Sequence, residues 1–351
     1  MDTRYSDEQL ELQRSATSLV ADLGPKTVDD LDDGSRRDRL VDAARRSGWY
    51  ELRGPGEDDG PLASGVEVAI IARALGRGAA DTPYLGPVVA VDLARHAGLE
   101  VEDASTSAVF ERSLLDFAVA PTATEGVAID CAGSTRGLAL VAQGAGVAHL
   151  VEVPLPDPAP QTDLTRAVAP VVLGGVTPDG DGAAVGEDAI ARSRALALTI
   201  TVADLLGAME GVLDTTTEYA KERQQYGVPI GSFQAVQHLL AEARVLVEGS
   251  ISVAQFAAWS VDALPATDAL EAGSVAKAYC ARAARTVCET AIQVHGGIGN
   301  TWECFVHVYL RRALLSSAVL GDEGHHLRAL AHRRLGHGRL EDERGVVSGL
   351  R

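Results

Sequence analysis

Two short segments hold the residues whose types and spacing best suit chemistry. In KERQQYGVPIGSFQAVQ, Arg223 precedes Gln225, Tyr226, Gly227 and Pro229, and Phe233 with Gln234 follow. In AIQVHGGIGNTWE, Gln293 and His295 lead into Gly296, Gly297 and Gly299, and Asn300 with Glu303 has the spacing of a helix cap. A guanidinium at a helix end and a glycine-rich turn before another helix both suit a pyrophosphate, through charge-assisted hydrogen bonds and free backbone N–H groups. The same residue types also make a plain C-cap turn and a surface arginine. His325, His326 and His332 lie close in sequence, but no cysteine or carboxylate spacing completes a metal site with them.

The elements that must position these segments are helices. Between Glu187 and Glu222 there is no proline, and only Gly207 and Gly211 are weak points. Further helices are predicted over 232–260, 267–294 and 301–320, joined by the two segments above and by DALPATD. Long helices with short connectors predict an antiparallel four-helix bundle over 187–335, followed by a polar tail, 336–351, expected to fray. Residues 1–113 read as short helices: Ser6 and Gln9 form a capping-box pattern, and Val66, Ala69, Ile70 and Ala74 share a stripe. Residues 114–186 change to short apolar runs cut by Gly, Pro and Asp, predicting a small β domain. Pro154, Pro156, Pro158 and Pro160 mark a loop or edge within it. The fold expected is mainly α with a small β middle domain.

Composition limits the partners. With 31 Lys and Arg against 49 Asp and Glu, the formal charge is −18, which repels phosphate backbones and anionic membranes. Aromatic residues make up 4%, too few for a base-stacking platform. Cys131, Cys280, Cys288 and Cys304 form no CxxC pair and read as buried side chains in a reducing compartment. No basic, apolar leader opens the sequence and no uninterrupted run of 18 apolar residues occurs, so a cytoplasmic chain without a membrane span is expected.

The ERQQYGxPIxxFQ segment, followed about sixty residues later by QVHGGxGxT and then LRR, resembles the C-terminal signature of acyl-CoA dehydrogenases. The resemblance is strong over 218–312 and weaker over the rest of the helix–β–helix layout. It implies an FAD cofactor, α,β-dehydrogenation of an acyl-CoA thioester, an electron-transfer flavoprotein as acceptor and a tetramer in which the bundle motifs serve a neighbour's FAD. Carried across, Arg223 pairs with the pyrophosphate and Gln225 contacts the same region. Phe233 and Gln234 line the adenosine side, and Gln293 with the backbone of Gly296 and Gly297 holds the adenine–ribose end. Tyr226, where the family usually has Phe, reads as a packing aromatic, and His295 as a loop residue.

The family's catalytic pattern is incomplete. Its usual glutamate falls nine residues after the arginine matching Arg311, where this chain has Leu320 followed by Gly321. Its alternative site, about 26 residues before Arg223, is occupied by Ala197, with Leu196 and Leu198 beside it. Glu323 is a shifted candidate. The family's Trp-containing flavin-ring strand has no counterpart, since residues 114–185 contain no tryptophan, and TATEGVAIDCAGST departs from the family turn at Gly126 and Thr135. These losses imply a non-catalytic subunit of an α2β2 acyl-CoA dehydrogenase of the actinobacterial sterol side-chain type, with one FAD per heterodimer. The alternatives are a self-sufficient homotetramer using Glu323 and a catalytically dead assembly or regulatory subunit.

Overall fold

The computed structural model describes residues 4–56, 60–101, 105–144, 146–177 and 183–335. The predicted polar tail, 336–351, lies outside them. The N-terminal helices are α1 (Asp7–Leu23), α2 (Gly34–Arg46), α3 (Gly65–Arg77) and α4 (Leu85–His96). The Ser6–Gln9 capping box forms as the spacing implies, and Ser64 with Glu67 builds a second at the start of α3. Pro87 sits in the first turn of α4, where its missing N–H costs no helical bond.

Seven strands follow: β1 (Thr106–Glu111), β2 (Val119–Ala120), β3 (Glu125–Ile129), β4 (Arg136–Ala142), β5 (Val147–Pro154), β6 (Val168–Val172) and β7 (Ala184–Gly186). The first therefore begins ahead of residue 114. They form one sheet in the order β6-β3-β1-β4-β5-β7, with β2 also on β4. The β1–β4 and β2–β4 pairs are parallel and the others antiparallel. As the four prolines imply, β5 ends at Pro154, and only Ala159 in the proline-rich stretch bridges to Val168.

The bundle opens with α5 (Glu187–Glu222), at 36 residues about 54 Å long. Its two glycines are close-approach sites rather than weak points: a Cβ at Gly207 would collide with the Arg73 carbonyl, and one at Gly211 with the Arg77 carbonyl. Gly76 on α3 returns the contact, its absent Cβ leaving room for the Asp204 carbonyl. The backbones of α3 and α5 thus touch directly, as only glycine permits. By length and composition α5 is apolar enough to cross a membrane, but its most apolar window is wholly buried inside the protein.

A tight hairpin of β8 (Gln224–Gln225) and β9 (Val228–Pro229) leads to α6 (Gln234–Ala263), α7 (Ala266–His295) and α8 (Val306–Ala318). The fourth bundle helix starts later than predicted. Gly296–Asn300 form a 3-10 turn, residues 301–304 turn again, and α8 begins after Phe305 with no side-chain cap. Asn300 and Glu303 therefore do not cap it. A further helix, α9 (Glu323–Leu335), follows, with the shifted candidate Glu323 in its first turn. Three cysteines are buried as expected, whereas Cys304 is half-exposed.

Buried ion pairs join the layers. Arg166, ahead of β6, holds Asp130 at 2.5 Å and Ser316 Oγ at 2.6 Å. Arg312 on α8 holds Asp204 of α5 at 2.7 Å and donates to the carbonyl of Ala80 and the hydroxyl of Thr165. Burial alone raises the Asp204 carboxyl, but the Arg312 and Arg166 guanidiniums outweigh it and hold the group below the usual carboxylate range. A second knot pairs buried Arg53 with Asp92 and Asp262, both at 3.0 Å, tying the N-terminal helices to α6.

Candidate functional site

The two sequence segments meet at one end of the bundle. The Tyr219 ring, one turn before Arg223, stacks on His295 with centroids 4.2 Å apart, so the hairpin after α5 and the glycine turn after α7 share one surface. His295 is accordingly the buried last residue of α7 and not a loop residue; its Nδ1 lies 2.8 Å from the Ala291 carbonyl. Tyr226 (φ +54°) and Gly227 (φ +81°) make the tight turn that lets Gln224 pair with Pro229 and Gln225 with Val228.

Every residue assigned to the cofactor lies on the exterior here: Arg223, Gln225, Phe233, Gln234, Gln293, Gly296 and Gly297 are all exposed. The Arg223 guanidinium has no hydrogen-bond or ion-pair partner among the described residues. Gly296 (φ +66°) and Gly297 both have open space where a Cβ would stand. An unpaired guanidinium beside an open glycine backbone fits a pyrophosphate and its nucleoside. Tyr226 is not a packing aromatic within this chain: it is 95% exposed and meets only the edge of Phe233, at 6.4 Å.

The catalytic positions lie elsewhere, at the seam between sheet and bundle. Leu320 is 2% exposed and lines a cleft of about 350 Å³ with Leu115, Asp116, Arg194, Leu198 and His326. Ala197 and Leu196 are fully buried in α5. Glu323 does not line this cleft, and its carboxylate stands 3.6 Å from Arg282. The turn at Leu320 is fixed from two sides. Lys277 Nζ, completely buried, donates to the carbonyls of Ser317 (3.1 Å), Val319 and Gly321 (2.8 Å). Gly321 N–H in turn reaches the Leu114 carbonyl at 3.1 Å, tying the turn to the loop after β1. Burial pushes the Lys277 ammonium down to about 7, against the pull of Asp322. Asp116, held at 2.6 Å by Arg194, is raised by burial more than the guanidinium lowers it.

Lys277, Asp116, Arg194 and Arg312 carry no signal in the sequence, because their partners lie far along the chain, and His326 stands out there only as one of three nearby histidines. Arg311 does stay near the surface, over the Trp302 ring at 5.4 Å.

Residues 180–335 match the family model "Acyl-CoA dehydrogenase, C-terminal domain". This part of the chain is an acyl-CoA dehydrogenase C-terminal domain. The acyl-CoA dehydrogenase IpdE2 of Mycolicibacterium smegmatis is 35% identical over 173 residues, 49% of this chain and 51% of that protein. The chain thus matches about half the length of that curated relative. Over nearly the whole chain the acyl-CoA dehydrogenase fold is shared. The ChsE4–ChsE5 complex from Mycobacterium tuberculosis superposes with a TM-score of 0.75 at 23% identity, covering 97% of this chain and all of that one. The Tcur3481–Tcur3483 steroid acyl-CoA dehydrogenase variant gives 0.74 at 24% identity, covering 93% and 97%.

Proposed function

We propose that this chain is a subunit of an FAD-dependent acyl-CoA dehydrogenase that supplies the adenosine and pyrophosphate side of the cofactor site to a related catalytic partner. The observation that carries this reading is the separation of the two halves of the site. The bundle-end residues are exposed and the Arg223 guanidinium is unpaired among the described residues, while the position of the family's base is a buried leucine. FAD, held there, would supply hydride-accepting chemistry for the β position of the thioester. Arg223 would neutralise pyrophosphate charge, and the open backbone at Gly296 and Gly297 would admit the nucleoside. The proton at the α carbon must go to a carboxylate of the partner, because neither Leu320 nor Ala197 can accept one. The proposal extends, on the family resemblance, to an α2β2 tetramer in the cytoplasm with one FAD per heterodimer, a bulky sterol-type CoA thioester as substrate and an electron-transfer flavoprotein as acceptor.

Purification of the chain alone and with its partner tests the reading. The complex is expected to be yellow and to bleach with acyl-CoA, and the chain alone to hold no flavin. Flavin on the lone chain that bleaches with acyl-CoA would favour the self-sufficient homotetramer and Glu323. Undiminished FAD in an Arg223→Ala complex would favour a purely assembling or regulatory subunit.

A further inference from the structure

A cavity of about 120 Å³ lies where α1 and α3 meet the bundle, and it shares no lining residue with the seam cleft. Ala203 and Leu206 of α5 and Ala254 and Ala258 of α6 line it, none more than 6% exposed. Each pair stands three or four residues apart, so each helix turns one apolar face to the space. Ala69 of α3 and the half-buried Trp259 add to the apolar lining. The α3 and α5 backbones already touch at Gly76 and Gly207, so these two helices cannot close on the space. Protein interiors keep few spaces of this size. The charges at its edge are matched: Arg73 donates to both carboxylate oxygens of Glu210, at 2.8 and 2.6 Å, and Arg4 is engaged as well. Half-buried Gln255 also lines the cavity, and its neutral amide has no hydrogen-bond partner among the described residues.

We propose that this cavity binds a neutral, apolar, six-membered ring. Apolar cavities of about 150 Å³ admit benzene, and this one is of the same order. An anion would have to break the Arg73–Glu210 pair, and a cation would meet guanidiniums with no carboxylate to spare. A fused-ring skeleton or a long acyl chain exceeds the space, so the ligand is not the thioester of the dehydrogenation. The site needs neither FAD nor a partner subunit, and it stands or falls apart from the function proposed above.

The test uses the full chain with labelled alanine and leucine methyl groups and two probes of similar shape, toluene and benzoate, followed by NMR. Toluene is expected to bind saturably and to show intermolecular NOEs to the methyl groups of Leu206 and Ala203. Benzoate should bind at least about tenfold more weakly, because its charge finds no free partner. Ala69→Leu, which fills the space from its half-buried side, should weaken toluene binding at least about tenfold and hold or raise the melting temperature. Should that variant fail to fold, the NOEs in the unmodified chain decide the matter. No saturable binding up to the solubility of toluene, NOEs only to seam residues such as Leu115, equal binding of benzoate, or unchanged binding by folded Ala69→Leu would each overturn the proposal.

Discussion

The bundle end and the seam cleft are built from similar residues to opposite effect. At the bundle end an arginine whose guanidinium has no partner among the described residues stands exposed, with an exposed glycine turn in the neighbouring connector. At the seam, arginine, lysine and aspartate are buried and most of their polar atoms are spoken for. The first surface contributes little to the stability of this chain and is free to serve another molecule. The second is part of the fold, and chemistry cannot be restored there by one acid without disturbing the pairs already present.

The contrast is sharpest for Asp204. Asp204→Ala leaves Arg312 and Arg166 buried without their shared carboxylate and should cost about 3–5 kcal/mol in urea unfolding. A loss under 1 kcal/mol would show that the seam charges are not structural.

Acid should act next most strongly. Burial, with Lys277 and His325 nearby, lowers His326 from the ordinary 6.5 to about 4. As pH falls from 6.5 to 4, the unfolded chain takes up a proton that the folded chain refuses, so stability declines across that window. The loss is about 3 kcal/mol when complete. His326→Gln should flatten that part of the stability–pH curve.

At the other end of the molecule, Arg223→Ala should weaken FAD retention by the complex about tenfold, one charge-assisted contact, and leave the melting temperature of the lone chain where it was. A large drop in that temperature would contradict the separation of the two regions. Smallest of all, Tyr226→Ala should change the stability of the lone chain by less than about 0.5 kcal/mol, since its ring is exposed. Sedimentation with the partner would show whether it matters to assembly.

How much of this was legible in the sequence depends on the range of the interactions. The full span of α5 follows from a proline-free run, and the Ser6–Gln9 capping box from a spacing of three residues. The start of α8 was misplaced because residues 296–304 turn twice before the helix opens. The helix α9 was hidden because Gly321, Asp322 and Glu323 are turn-forming types, and its packing on α7 has no local mark. Nothing local marks Arg312 as buried, because Asp204, its partner, is 108 positions away. The cofactor residues were found through ordered motifs. The cavity between α3, α5 and α6 could be seen only once the helices were packed.

The backbone contact between α3 and α5 has a mechanical consequence. Helices that touch through Gly76, Gly207 and Gly211 cannot slide or tilt without driving carbonyls into each other, so the N-terminal helices and the bundle move as one body. The sheet is pinned to this body at two places, the Arg166 knot and the Leu114 loop, whose carbonyl accepts from Gly321 N–H.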